Sequence, residues 1–106
     1  MYNRLGAVSP LDGRYGESVK SLSPYFSEAA LMRYRLYIEV EYIIALSREK
    51  KIKDLNSFTE AQIKKLRSVY ESFNVTAAEE IKKIESETKH DVKAIEYYIQ
   101  KKIKKS

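Results

Sequence analysis

The sequence predicts an all-α domain, and three observations carry that prediction. Only 3 Gly and 2 Pro occur in 106 residues, which favours long uninterrupted elements over a turn-dense β sandwich. From Ser27 onward the apolar residues recur at helical spacing rather than in alternation. Helix-opening pairs, Thr59 with Gln62 and Thr76 with Glu79, punctuate those runs.

In chain order, residues 1–26 read as an irregular, extended N-terminal segment. Ser9-Pro10 and Asp12-Gly13 are turn signals, and Ser23-Pro24 closes a short stretch with helical potential at Glu17 to Leu22. Residues 27–106 read as a helical domain, with helices at about 27–48, 59–73, 76–87 and 91–104. Ser27 is the expected N-cap of the first, with Glu28 favourable in its first turn. Leu31, Tyr34, Ile38, Tyr42 and Ala45 form its apolar face, widened by Leu36, Val40, Ile43 and Ile44. That width predicts burial on more than one side. At roughly 22 residues the helix would be about 33 Å long, which predicts packing against chain segments beyond this sequence. Lys50 to Phe58 is a polar connection. The next helix turns Ile63, Leu66, Tyr70 and Phe73 to one side, and the shorter one after it carries Ile81 and Ile84. The last, from near Asp91, carries Ile95, Ile99 and Ile103 with Val92 and Tyr98 beside them. No Gly or Pro stops it before Ser106, so the terminus reads as a cut.

Composition excludes several classes. Hydrophobic content of 43% with 33% charged residues describes a folding chain. The absence of cysteine rules out disulfides and thiolate metal sites and fits a reducing cytosol. A single His without Cys leaves no ordinary zinc set, so no metal is expected. No apolar run approaches the roughly 18 residues that span a membrane, and no signal-peptide core opens the chain, so a cytoplasmic location is the default. The net charge of +5 is concentrated in Lys101, Lys102, Lys104 and Lys105. Lysines suit a helix C-terminus, although a basic tail also binds nucleic acid by counterion release. Glu39, Glu41, Glu79, Glu80, Glu85 and Glu87 interrupt the basic stripe, which argues against nucleic acid. No Gly-rich phosphate loop or Gly-x-Ser-x-Gly elbow occurs.

Two polar segments remain. In Ser9-Pro10-Leu11-Asp12-Gly13-Arg14-Tyr15 a Pro and a Gly constrain a turn and so the directions of Arg14 and Tyr15. Arg offers a planar donor fork for phosphate or carboxylate, and Tyr a hydroxyl. An ordinary surface turn would look the same. In Thr88-Lys89-His90-Asp91 the sole histidine meets a helix start, whose free N–H groups and dipole suit an anion. The structural alternative is a surface histidine beside an Asp N-cap.

Ser-Pro-Leu-Asp-Gly-Arg-Tyr at residues 9–15, followed by Thr-Lys-His-Asp-Val-Lys-Ala-Ile-Glu-Tyr at 88–97, resembles the adenylosuccinate lyase family. Phe26-Ser27-Glu28 leading into a long helix and Ser72-Phe73 before a Lys-Lys-Ile-Glu stretch fit the same pattern, so the resemblance covers nearly the whole chain. It implies the N-terminal helical domain of a fumarase/aspartase-type lyase, an all-α homotetramer needing no cofactor. Such enzymes eliminate fumarate from adenylosuccinate, giving AMP, and from the succinylated aminoimidazole carboxamide ribotide of purine biosynthesis. The resemblance implies substrate binding by Arg14, Tyr15, Lys89, His90 and Asp91. The pattern departs at Lys89, where members often carry Asn or another small polar residue. The family's base, a serine in a Ser-Ser-x-Met-Pro-x-Lys-x-Asn loop, and its acid, a histidine of a separate region, have no counterpart here. The resemblance therefore implies no catalytic residue in this chain, and a fragment inactive alone. The competing expectation is a non-catalytic helical module that binds a protein partner or nucleic acid.

Overall fold

The computed structural model describes residues 3–51 and 56–104, with Lys104 described by its backbone alone. The regular elements among the described residues are all helices, and the chain groups into two compact units, Met1–Leu31 and Met32–Ser106.

The first unit lacks long elements, but it is wound rather than extended. Short 3-10 helices occupy Arg4–Gly6 and Lys20–Leu22, and α1 follows at Ser23–Phe26. Asn3 opens the first of these by accepting the Leu5 N–H at 2.8 Å. Pro24 begins a helix here rather than ending one. Its fixed φ and missing N–H cost nothing in a first turn, where that N–H would have no partner.

Helix α2 spans Glu28–Arg48. Ser27 caps it, its Oγ accepting the Ala30 N–H at 3.1 Å while donating to the Ser23 carbonyl at 2.7 Å. Within the second unit the buried residues of α2 are Met32, Leu36, Val40, Ile44 and Ser47. The i, i+4 spacing of the first four makes one narrow stripe. Ser47 is tolerated there because its hydroxyl donates to the Ile44 carbonyl at 2.7 Å. The other half of the expected face is exposed: Tyr34 at 37%, Ile38 at 60% and Tyr42 at 61%. Burial on more than one side is thus not realised among the described residues.

Helix α3 (Glu60–Glu71) opens on the expected capping box. Thr59 Oγ1 accepts the Gln62 N–H at 3.2 Å, and Gln62 Oε1 accepts the Thr59 N–H at 2.8 Å. Residues 52–55 of the connection before it lie outside the described residues. Helix α4 (Val75–Thr88) starts earlier than the Thr76–Glu79 pattern suggests. Asn74 Oδ1 accepts the Ala77 N–H at 2.9 Å, and Asn caps at least as well as Thr, so the upstream residue prevails and Thr76 falls inside the helix. Helix α5 spans Asp91–Lys104.

The core of the second unit forms two clusters along the α2 stripe. Val40 and Ile44 pack with Ile63 and Leu66 of α3. Met32 and Leu36 pack with Val69, Ala77, Ile81, Ala94, Ile95 and Tyr98 from α3, α4 and α5. Tyr70 and Ile99 border both. A polar clamp joins α2 to α3 beside them. Arg67 grips Glu41 with two N–H groups, Nε to Oε2 at 3.0 Å and Nη2 to Oε1 at 3.1 Å, and the Tyr70 hydroxyl donates to Oε2 at 2.8 Å. The Tyr37 ring meets Tyr70 edge-on, centroids 5.0 Å apart. The Arg67 hydrogen bonds hold the Glu41 carboxyl below its ordinary value. Burial, then the Glu41 hydrogen bond, pushes Tyr70 from its ordinary 10 up to about 12.

Two outcomes follow for stability. Leu36→Ala should lower unfolding free energy by about 2–5 kcal/mol in urea titrations, whereas Ile38→Ala should change it by no more than about 0.5 kcal/mol. Because the Tyr70 value is raised on folding, its contribution is complete below pH 10 and fades as pH rises to about 12. The urea midpoint should therefore fall over that interval, and Tyr70→Phe should make the fall shallower.

Candidate functional site

The segment carrying Arg14 and Tyr15 is a nest of reciprocal turn bonds. Ser9 Oγ accepts the Leu11 N–H at 3.1 Å, and Asp12 Oδ1 accepts the Ser9 N–H at 3.0 Å. The Ser9 carbonyl accepts the N–H groups of Asp12 and Gly13, and the Pro10 carbonyl accepts that of Tyr15 at 2.7 Å. Pro10 sits where its fixed φ starts the turn. Gly13 is needed for a different reason: a Cβ there would lie 2.5 Å from the Arg4 carbonyl oxygen. Without that atom the turn closes against the preceding 3-10 helix, and the next two side chains project from it. Arg14 and Tyr15 are both exposed, with the guanidinium 5.1 Å from the Tyr15 ring centroid. Arg14 forms no ion pair with a described residue, so its donor fork remains open to an anion.

The second polar segment is built at the junction of α4 and α5. Lys89 terminates α4 in the left-handed conformation (φ 56°, ψ 29°), its N–H reaching the Glu85 carbonyl at 2.7 Å. It is the only non-glycine residue with positive φ among the described residues. Gly takes this position at less cost because it has no β-carbon to crowd the carbonyl, and Asn because its short polar side chain can hydrogen-bond locally. The turn is also tied by Thr88, whose Oγ1 lies 3.3 Å from the His90 N–H and 3.2 Å from the His90 carbonyl.

His90 is the N-cap of α5, not a neighbour of the cap. Its carbonyl accepts the Ala94 N–H at 3.1 Å, and its Nδ1 accepts the Lys93 N–H at 3.3 Å. An Nδ1 that accepts leaves the neutral ring's proton on Nε2, which is presented by an exposed side chain. Asp91 is the first helical residue. Its Oδ1 accepts the Val92 N–H at 2.9 Å, and its Oδ2 accepts from Arg35 Nη1 at 2.7 Å. The Arg35 hydrogen bond, with the Val92 N–H behind it, holds the Asp91 carboxyl below its ordinary value.

These bonds revise the expected anion site. The N–H groups of Val92 and Lys93 are occupied by Asp91 and His90, so the first turn does not offer them to a ligand. The imidazole donor that this corner presents is the His90 Nε2–H, beside a carboxylate already balanced by Arg35. Arg35 is invisible in the sequence, since it lies 56 positions from Asp91 and no local pattern links them. The capping role of His90 escapes sequence reasoning because histidine is not among the usual caps.

Arg14 and Tyr15 belong to the first unit, and Lys89, His90 and Asp91 to the second. In the basic tail, Lys101 and Lys102 approach Glu80 at 3.9 and 3.8 Å, a structural use of that charge. Lys105 lies outside the described residues. Among the described residues no group of three or more metal-ligating side chains stands together, and no helix is long and apolar enough to cross a membrane.

No family model matches the chain. Curated proteins do resemble it. It is 49% identical over 102 residues to an adenylosuccinate lyase of Dictyostelium discoideum, 42% over 102 residues to one of Legionella pneumophila, and 41% over 99 residues to one of Escherichia coli. The alignments take in 95%, 96% and 93% of this chain. The chain spans only 22% of the length of each of these relatives.

Three substitutions test the local geometry. Lys89→Gly should stabilise the fold by about 0.5–1 kcal/mol by relieving the left-handed β-carbon, read as a higher urea midpoint. His90→Ala should cost about 1 kcal/mol by removing the cap. Gly13→Ala should weaken hydrogen-exchange protection of the Tyr15 amide, since the new β-carbon forces the turn off Arg4.

Proposed function

We propose that these residues are the N-terminal portion of an adenylosuccinate lyase, starting from a homology that spans nearly all of this chain. The single observation that carries the reading is 49% identity over 95% of the chain to a protein of that name. In this reading the full enzyme eliminates fumarate from adenylosuccinate, and from the succinylated carboxamide ribotide, in the cytoplasm and as a homotetramer. Arg14, Tyr15, Lys89, His90 and Asp91 bind substrate, and no cofactor or metal takes part.

The chemistry of β-elimination suits this division of labour. A base removes the Cβ proton, an acid protonates the leaving nitrogen, and hydrogen-bond donors stabilise a carbanion of aci-carboxylate character. The substrate brings a phosphate and two carboxylates. Arg14 supplies an open guanidinium fork for one such anion. The His90 Nε2–H supplies a directed donor, its ring held by the Lys93 bond so that little order is lost on binding. Asp91 keeps lone pairs free for hydroxyl or amino donors of the nucleotide. Lys89 contributes the turn that sets the corner. Proton transfer belongs to residues outside this chain. The exposed Tyr34, Ile38 and Tyr42 of α2 support the same reading, as a surface suited to further chain.

The test is a chimera in which this chain replaces the aligned segment of the Escherichia coli enzyme, with fumarate release followed in the ultraviolet. The chimera should turn over adenylosuccinate, and the 106 residues alone should not. Arg14→Ala and His90→Asn in the chimera should each lower kcat/KM by about tenfold or more while the protein remains assembled. An assembled chimera without fumarate release would overturn the assignment.

A further inference from the structure

We infer that Arg35 is a positioning residue for the substrate corner, acting through Asp91 on His90; the kinetic half of this inference rests on the function proposed above. Arg35 lies in the N-terminal half of α2 and Asp91 opens α5, so the 2.7 Å contact ties the two across 56 positions of sequence. The side chains are 31% and 53% exposed, and an ion pair of that exposure adds little stability. What it does is geometric. Asp91 has one oxygen on the Val92 N–H and the other on Arg35, so its carboxylate cannot rotate without breaking one of them. That anchors the first turn of α5 to α2. The same turn holds the Lys93 N–H on His90 Nδ1 and thereby sets both the ring direction and the proton on Nε2.

Charge gives Arg35 a second part in the same device. An unpaired carboxylate next to His90 would repel a phosphate or carboxylate ligand and would compete for the Nε2–H. With Arg35 on its Oδ2, Asp91 is balanced, and the imidazole donor is left for the ligand. Of the acids on these helices, Glu41 is gripped by Arg67 and Glu96 pairs with Lys93 at 3.3 Å. Arg35 touches no reacting atom in this scheme. It holds the residue that holds the turn that aims the histidine.

Two measurements test this, and only one depends on lyase activity. His90 is the sole histidine, so its ring carbons give one reporter in the NMR spectrum of the chain. At alkaline pH, where imidazoles are neutral, the wild-type ring should be predominantly the Nε2–H tautomer. Arg35→Gln should shift it towards a mixture, and Arg35→Lys should restore most of the preference. An unchanged tautomer ratio in a folded Arg35→Gln chain overturns the inference. In the active chimera, Arg35→Gln should raise KM about tenfold, with a smaller effect on kcat. In an Asp91→Asn background the same change should add no more than about twofold, because the link is already cut. Arg67→Gln, which breaks a comparable α2–α3 ion pair, should lower Tm without moving KM. If Arg35→Gln instead matches Arg67→Gln, or its effect multiplies fully with that of Asp91→Asn, the positioning role is wrong. If Asp91→Asn itself leaves KM unchanged, the substrate-site reading has failed, and the tautomer result still decides the link from Arg35 to His90.

Discussion

Burial of one stripe on α2, Leu36, Val40 and Ile44 at 0%, 0% and 1% exposure, organises the second unit. Those side chains touch residues from α3, α4 and α5, so each later helix is positioned by packing on the same rod. Their contribution is nondirectional, at about 1.5–3 kcal/mol for each fully buried aliphatic side chain. It brings the helices together without choosing their azimuth. The Glu41–Arg67–Tyr70 clamp supplies direction between α2 and α3, because a bidentate fork and a hydroxyl are satisfied in only one arrangement.

The corner at α4 and α5 depends on the same rod. Arg35 lies one residue before Leu36, so seating Leu36 in the core places the guanidinium within reach of Asp91. In the proposed site, function and packing are therefore coupled by adjacency on one helix. Groups at this corner that look available from residue identity alone are mostly occupied in space. Two first-turn amides, one imidazole nitrogen and both Asp91 oxygens hold the chain together, and the His90 Nε2–H remains. A corner made this way is held in place by its own bonds, and in the proposed site that lowers the ordering cost of binding.

Helix type and approximate placement are legible because their causes are local. Thr59 and Gln62 cap α3 through atoms three residues apart, and Ile63, Leu66, Ile81 and Ile95 are buried as their spacing indicates. Where two local signals compete, the sequence is less decisive. Asn74 displaces Thr76 as the cap of α4, and Pro24 begins a helix where a turn signal suggests an end. The apolar surface of α2 is the larger ambiguity. Both Leu36–Val40–Ile44 and Tyr34–Ile38–Tyr42 are apolar at helical spacing, and periodicity does not say which side meets other helices.

The motif residues Arg14, Tyr15, Lys89, His90 and Asp91 can be named from the sequence, since identity and order along the chain are all that a motif needs. Their roles cannot. That His90 caps a helix through Nδ1 and that Lys89 carries a left-handed backbone are decided by dihedral angles that no composition encodes. That Asp91 answers to Arg35 is decided by a contact across 56 positions. The sequence by itself determined an all-α chain and its polar segments, because helical periodicity and capping act within a few residues. Only the tertiary structure decided which apolar face is core and which polar atoms stay free, because both depend on partners distant in the chain.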